Sequence, residues 1–143
     1  NSSIVLALYL PCIFGKRYVM LPILGFAIAD IFIGLHEFLI FTWGSIFLIS
    51  LLSKYYTSTI SRTFGILSSC LIFYFISNFG VWLVSGYYSH NIEGLIKCYT
   101  LALPFLKNSL LGNLLFALFL EYFVSLKKCS NKIKYINPNW KAN

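Results

Sequence analysis

Apolar residues along the chain gather into six runs separated by short polar or glycine-containing breaks. The runs are roughly Ile4–Phe14, Tyr18–Ile33, Phe38–Leu52, Phe64–Val84, Leu95–Leu106 and Leu110–Leu126. Between them lie Gly15-Lys16-Arg17, Gly34-Leu35-His36-Glu37, the stretch Lys54 to Arg62, the stretch Gly86 to Gly94, and Lys107-Asn108. Within the runs the strict two-residue alternation of a membrane barrel is missing. An open sheet would leave backbone groups unpaired in lipid, so the pattern predicts helices throughout. No internal repeat or low-complexity tract interrupts them.

Composition turns this pattern into a class. The chain has 143 residues, 59% hydrophobic and 10% charged, with a mean hydropathy of +0.79. A soluble domain carries about 25% charged residues, and a domain this small must cover much of its surface with polar side chains. Too few are present, so the sequence reads as an integral membrane protein bathed in a lipid bilayer. The net charge of +7 comes from cations at segment ends and in the tail, which suits orientation and anionic headgroups rather than nucleic acid. Four cysteines, Cys12, Cys70, Cys98 and Cys129, show neither C-x-x-C nor metal spacing. Cys12 and Cys70 read as small hydrophobes, and Cys129, beside Lys127 and Lys128, sits where palmitoylation occurs in eukaryotes.

Charge also predicts topology. The fifth run has twelve residues, with Lys97 inside it and Pro104 near its end, short of the ~20 that span a bilayer. If it dips in or lies along the surface, Lys16, Arg17, Lys54, Arg62 and the five tail lysines share one side, nine against Lys97 and Lys107. Cytoplasmic loops carry such an excess. The expected fold is therefore an all-α, polytopic membrane helix bundle with five spans plus one short re-entrant or interfacial helix. It covers residues 1–126, followed by a basic cytoplasmic tail over 127–143, in a bacterial inner membrane. Asn1 leads almost at once into an apolar run, so an upstream helix is expected, which would make six spans.

In that topology most embedded polar groups converge on the outer side. A charge at mid-bilayer costs about 2.5–3.5 kcal/mol on insertion scales, so each needs a partner, a wet cavity or a function. Asp30 is either a helix-end carboxylate pairing with Lys107 or Lys97, or a ligand-orienting or proton-coupled group facing an outward cavity. His36 and Glu37 form a lone pair in a turn and, with Asp30 and His90, lack the spacing of a metal site. Asn78 and Trp82 read as interhelical glue and aromatic belt, or as polar and stacking walls of a pocket. Tyr99, Asn108 and Asn113 lie in the same layer, and Asn108 also suits the cap of the last helix. Glu121, near the inner end, is expected to pair with Lys127 or Lys128. Gly25-x-x-x-Ala29 permits close helix contact. No nucleophile elbow, phosphate loop or zinc helix motif is present. No catalytic role, cofactor or metal is assigned.

The series Phe14-Gly15-Lys16-Arg17, Asp30-x-x-x-Gly34-Leu35-His36, Asn78-Phe79-Gly80-Val81-Trp82, Gly94-Leu95-x-x-Cys98-Tyr99, Ala102-x-Pro104-Phe105 and Asn108-x-x-x-Gly112 resembles a bacterial multi-pass membrane family classed as a domain of unknown function. The resemblance spans nearly all of Ile4–Glu121 and implies a further hydrophobic helix before Asn1. The sequence departs from the family at Asn113, where an acidic residue follows the glycine. More distantly, that family resembles the substrate-binding S components of energy-coupling-factor transporters, small proteins that capture a micronutrient near the outer face. That resemblance implies uptake of a small solute, an energy-coupling membrane partner, and Asp30, His36, Asn78, Trp82, Tyr99, Asn108 and Asn113 as ligand-binding candidates. The alternative is an accessory structural subunit of a larger membrane complex, its polar groups serving as helix glue.

Overall fold

The computed structural model describes residues 3–129, and within them the chain is all-helical, with no strand. Five helices follow in order: α1 (Ser3–Phe14), α2 (Met20–Ile33), α3 (Leu39–Leu52), α4 (Thr59–Val84) and α5 (Ile92–Cys129). Single 3-10 turns, Lys16–Tyr18 and Ser53–Tyr55, follow α1 and α3. Positions 130–143 of the expected tail lie outside the described residues.

Most of the predicted breaks are real, and local chemistry makes them. Gly34 adopts φ 122° at the end of α2 and returns its N–H to the Asp30 carbonyl at 2.8 Å. That backbone conformation is strained for a residue with a Cβ. Ser58 caps α4, its hydroxyl accepting the Ser61 N–H at 3.1 Å, so α4 begins before Arg62 and takes that residue out of the expected loop. Asn91 caps α5 in the same way, accepting the Gly94 N–H at 2.8 Å.

Lys107-Asn108 is not a break. The fifth and sixth runs form one helix, α5, of 38 residues, about 57 Å long at 1.5 Å per residue. The expected short re-entrant or interfacial helix is corrected accordingly, as is the cap role of Asn108, which Asn91 fills. Lys107 and Asn108 lie exposed on the helix surface. Pro104 lies inside α5. A proline removes one backbone donor, here the one that would bond the Thr100 carbonyl, and the helix continues past it.

The packing is apolar outside and partly polar inside. α1 contacts all four other helices and buries Ile4, Val5, Ala7, Leu8, Tyr9 and Cys12. Against it and α4, α3 and the 3-10 turn that continues it present Thr42, Ser45, Ile46, Ile49, Ser50 and Ser53, all buried. Their i, i+3, i+4, i+7 spacing makes one face, and small residues there let helices approach closely. α4 runs antiparallel to α5, Arg62 meeting Glu121 near one end and Tyr74 meeting Tyr99 toward the other. Large apolar side chains face outward instead, among them Phe32 at 86% exposure and Ile40 at 82%. Apolar surface this extensive marks contact with lipid or a partner.

Two helices, α4 and α5, are long and apolar enough to cross a membrane. The remaining three have 12, 14 and 14 residues, about 18–21 Å each against a hydrocarbon core of roughly 30 Å. Length and composition therefore support two spans where the sequence reading expected five.

Candidate functional site

The bundle has two chemically distinct ends. The connections after α1 and α3, the start of α4 and the end of α5 share one end, tied together by contacts among Tyr9, Cys12, Tyr56, Arg62 and Glu121. The α2–α3 and α4–α5 connections form the other, and most of the sequence-predicted candidates lie toward it.

Asp30 is in the last turn of α2, 7% exposed. Trp43, projecting from the second turn of α3, donates its indole N–H to Asp30 Oδ2 at 2.8 Å. The turn that begins at Gly34 returns His36 toward α2, with its Nε2 4.0 Å from the same oxygen. Phe38 stacks on the imidazole with ring centroids 4.1 Å apart. His36 Nδ1 is buried with no hydrogen-bond partner, the kind of atom that ordinarily meets water or a ligand. A carboxylate, an imidazole and an indole N–H thus converge, a set able to accept from or donate to a polar solute. Asp30 does not pair with Lys97 or Lys107 as one reading expected; Trp43 takes that place. Trp43 was missed because an interfacial tryptophan is ordinarily read as membrane belt.

Asn78, Trp82 and Tyr99 gather around α4 and the first half of α5. Asn78 donates from Nδ2 to the Tyr74 carbonyl one turn back at 2.7 Å, and its own carbonyl accepts from Cys98 Sγ at 3.4 Å. Tyr99 donates its hydroxyl to the Phe75 carbonyl at 2.8 Å while its carbonyl accepts from Tyr74 Oη at 2.6 Å. Trp82 donates to the Ser89 carbonyl at 3.0 Å, fastening the α4–α5 connection. An open cavity of about 280 Å³ lies beside them, lined by Asn78, Val81, Tyr88, Cys98, Leu101, Ala102 and Phe105. Its lining includes Asn78 from the candidate set.

Phe41 of α3 packs onto α4 between these two groups. A Cβ on Gly80 would meet its ring, and the Phe41 and Phe79 rings meet edge to face with centroids 6.1 Å apart. Asn108 is exposed, midway along α5. Asn113 is 1% exposed and donates from Nδ2 to the Ser109 carbonyl and hydroxyl at 2.7 and 3.0 Å, leaving Oδ1 buried and unpartnered.

At the opposite end lies a network the sequence reading assigned to other partners. Glu121 is bound by Arg62; the side chains of Lys127 and Lys128, its expected partners, lie outside the described residues. Arg62 Nε reaches Oε1, and Nη2 reaches Oε2 at 3.0 Å. Tyr9 donates to Oε1 at 3.0 Å and Thr59 to Oε2 at 3.2 Å, while Arg62 Nη1 donates to the Thr57 carbonyl at 2.9 Å. The arrangement joins α1, α4, α5 and the connection before α4. The available signal was an arginine and a glutamate near opposite ends of two apolar runs, which antiparallel packing brings together. Among the described residues no group of three or more His, Cys, Asp or Glu side chains could hold a metal ion.

Residues 2–134 match the family described as "Family of unknown function (DUF6580)". No curated protein and no solved structure matches the chain.

Proposed function

We propose that this chain, which belongs to the DUF6580 family, is a multi-pass membrane protein that captures a small polar solute for uptake, in the manner of S components of energy-coupling-factor transporters. The observation that carries this reading is the Asp30–Trp43–His36 cluster. It holds a carboxylate inside an apolar bundle, beside an imidazole whose Nδ1 is buried and unpaired. In a membrane such a group marks a solute or proton path by default.

The contrast between the two ends supports it. One is latched by the satisfied Arg62–Glu121 network, whereas the other holds the open valence of His36 and the cavity beside Asn78. Lys16, Arg17 and Lys54 share the latched end, so the positive-inside rule makes that end cytoplasmic and the open end external. Uptake would draw on an energy-coupling membrane partner. The role is binding and transfer rather than catalysis.

Native mass spectrometry of the full-length protein released gently from its own membrane tests this. The expected result is a retained small molecule that disappears in Asp30→Asn and His36→Gln variants. The topology is tested separately, with thiol reagents that do not cross membranes. Lys54→Cys and Tyr87→Cys should label from opposite faces.

A second reading, an accessory subunit of a larger membrane complex, is favoured by the in-chain bonding of Tyr99 and Asn78. Stoichiometric protein partners with no retained small molecule would establish it in place of the first.

A further inference from the structure

The latched end carries a groove of about 490 Å³ lined by Lys16, Arg17, Val19, Leu51 and Lys54. Lys16 and Arg17 come from the 3-10 turn after α1 and Lys54 from the one after α3, so the fold brings together cations far apart in sequence. Arg17 lies over the Tyr18 ring at 4.8 Å and Lys54 over the Tyr55 ring at 4.9 Å. In both contacts the cationic head itself sits over the ring face, which holds it in place by attraction to the ring without using up its N–H donors. All four side-chain carboxylates of the chain are placed elsewhere. Glu121 binds Arg62, Asp30 binds Trp43, and Glu37 and Glu93 stand at the opposite end of the bundle.

From this juxtaposition we infer that the groove is a binding site for the phosphate headgroup of an anionic phospholipid. Three cations converge on a space whose walls, Val19 and Leu51, are apolar. Phosphate oxygens match the donors of Lys16, Arg17 and Lys54, arginine being suited to two of them at once. The apolar walls suit the glycerol and first acyl methylenes, which a free phosphate does not have. Basic pockets between helices on the cytoplasmic side of a membrane bind such headgroups. The assignment rests on the reading of the bundle as membrane-embedded and is independent of the Asp30 cluster.

The test uses the full-length protein in a non-ionic detergent, titrated with phosphatidylglycerol or phosphatidylcholine, with retained lipid counted by native mass spectrometry. Phosphatidylglycerol should be retained preferentially. Each cation replaced by glutamine should weaken retention about five-fold, and the triple variant Lys16→Gln, Arg17→Gln, Lys54→Gln roughly a hundredfold. Lys97→Gln with Lys107→Gln, exposed cations outside the groove, should change nothing. Glycerol 3-phosphate supplies the headgroup chemistry without the chains and should compete only weakly. Equal retention of the two lipids by the unaltered protein overturns the inference without recourse to any variant. So does full displacement by glycerol 3-phosphate, which would make the ligand a soluble phosphate ester.

Discussion

Arg62 and Glu121 offer the sharpest test of how the bundle is held. Arg62 is 6% exposed as a residue, and the two side chains keep 8% and 16% of their surface. The carboxylate accepts from Tyr9, Thr59 and two arginine nitrogens. Removing one member of a buried pair leaves the other charge uncompensated and costs about 3–5 kcal/mol. The residual exposure of Glu121 argues for the lower figure, about 3 kcal/mol for Glu121→Leu and about the same for Arg62→Met. Removing both leaves no stranded charge. What then remains is the loss of partners for Tyr9 and Thr59, about 1–3 kcal/mol together for a buried hydroxyl and a more exposed one. The double variant should therefore be no less stable than either single one, and the coupling between the sites about 3 kcal/mol or more.

The assay is reversible unfolding in mixed micelles, followed by circular dichroism on the unaltered protein, both single variants and the double variant. Single-variant losses that add to within about 0.5 kcal/mol of the double-variant loss would refute the argument. They would mean that the two charges are separately solvated and that α1, α4 and α5 are held by apolar packing alone.

Three further outcomes are expected. Spin labels at Thr100→Cys and Leu118→Cys, eighteen residues apart on the same face of α5, should lie ~27 Å apart along the axis, whereas a hairpin at Lys107-Asn108 would bring them within about 15 Å. Gly80→Ala should cost about 1–3 kcal/mol by overpacking against Phe41, while Gly112→Ala, with no heavy atom within 4 Å of its new methyl, should be neutral or stabilising by up to about 1 kcal/mol; thermal unfolding in detergent reads both. Trp43→Phe keeps an aromatic ring but removes the N–H that Asp30 accepts at 2.8 Å, and the same measurement should show a loss of about 1.5–3 kcal/mol.

Helix and connection were readable from hydropathy wherever a break had a backbone cause. Gly15 and Gly34 take positive φ, and Ser58 caps α4, so polarity and geometry agree at those points. At Lys107-Asn108 polarity stood alone. Neither residue breaks the backbone pattern of a helix, and lysine is a good helix former. Arg62 was placed in a loop for the converse reason. Its charge argued against an apolar helix, yet Glu121, 59 residues later, supplies a partner that hydropathy has no means of registering. The local polarity of a membrane-type sequence thus marks turns reliably only where a positive-φ glycine or a capping side chain accompanies it.

The same reasoning explains why the candidate site was legible as a set of polar residues but not as an arrangement. Depth along a helix follows from counting residues, so Asp30, Asn78 and Trp82 could be assigned to one end. Azimuth, the direction each side chain takes around its helix, depends on which neighbours pack where. Here α3 decides it, sending Trp43 to Asp30 on one side and Phe41 to Gly80 on the other. The polar residues toward that end consequently fall into two groups on either side of α3 rather than around one shared space. A solute held at Asp30 and His36 would contact α2 and α3, while the cavity beside Asn78 belongs to α4 and α5. Between the two, Phe41 of α3 packs on Gly80 of α4.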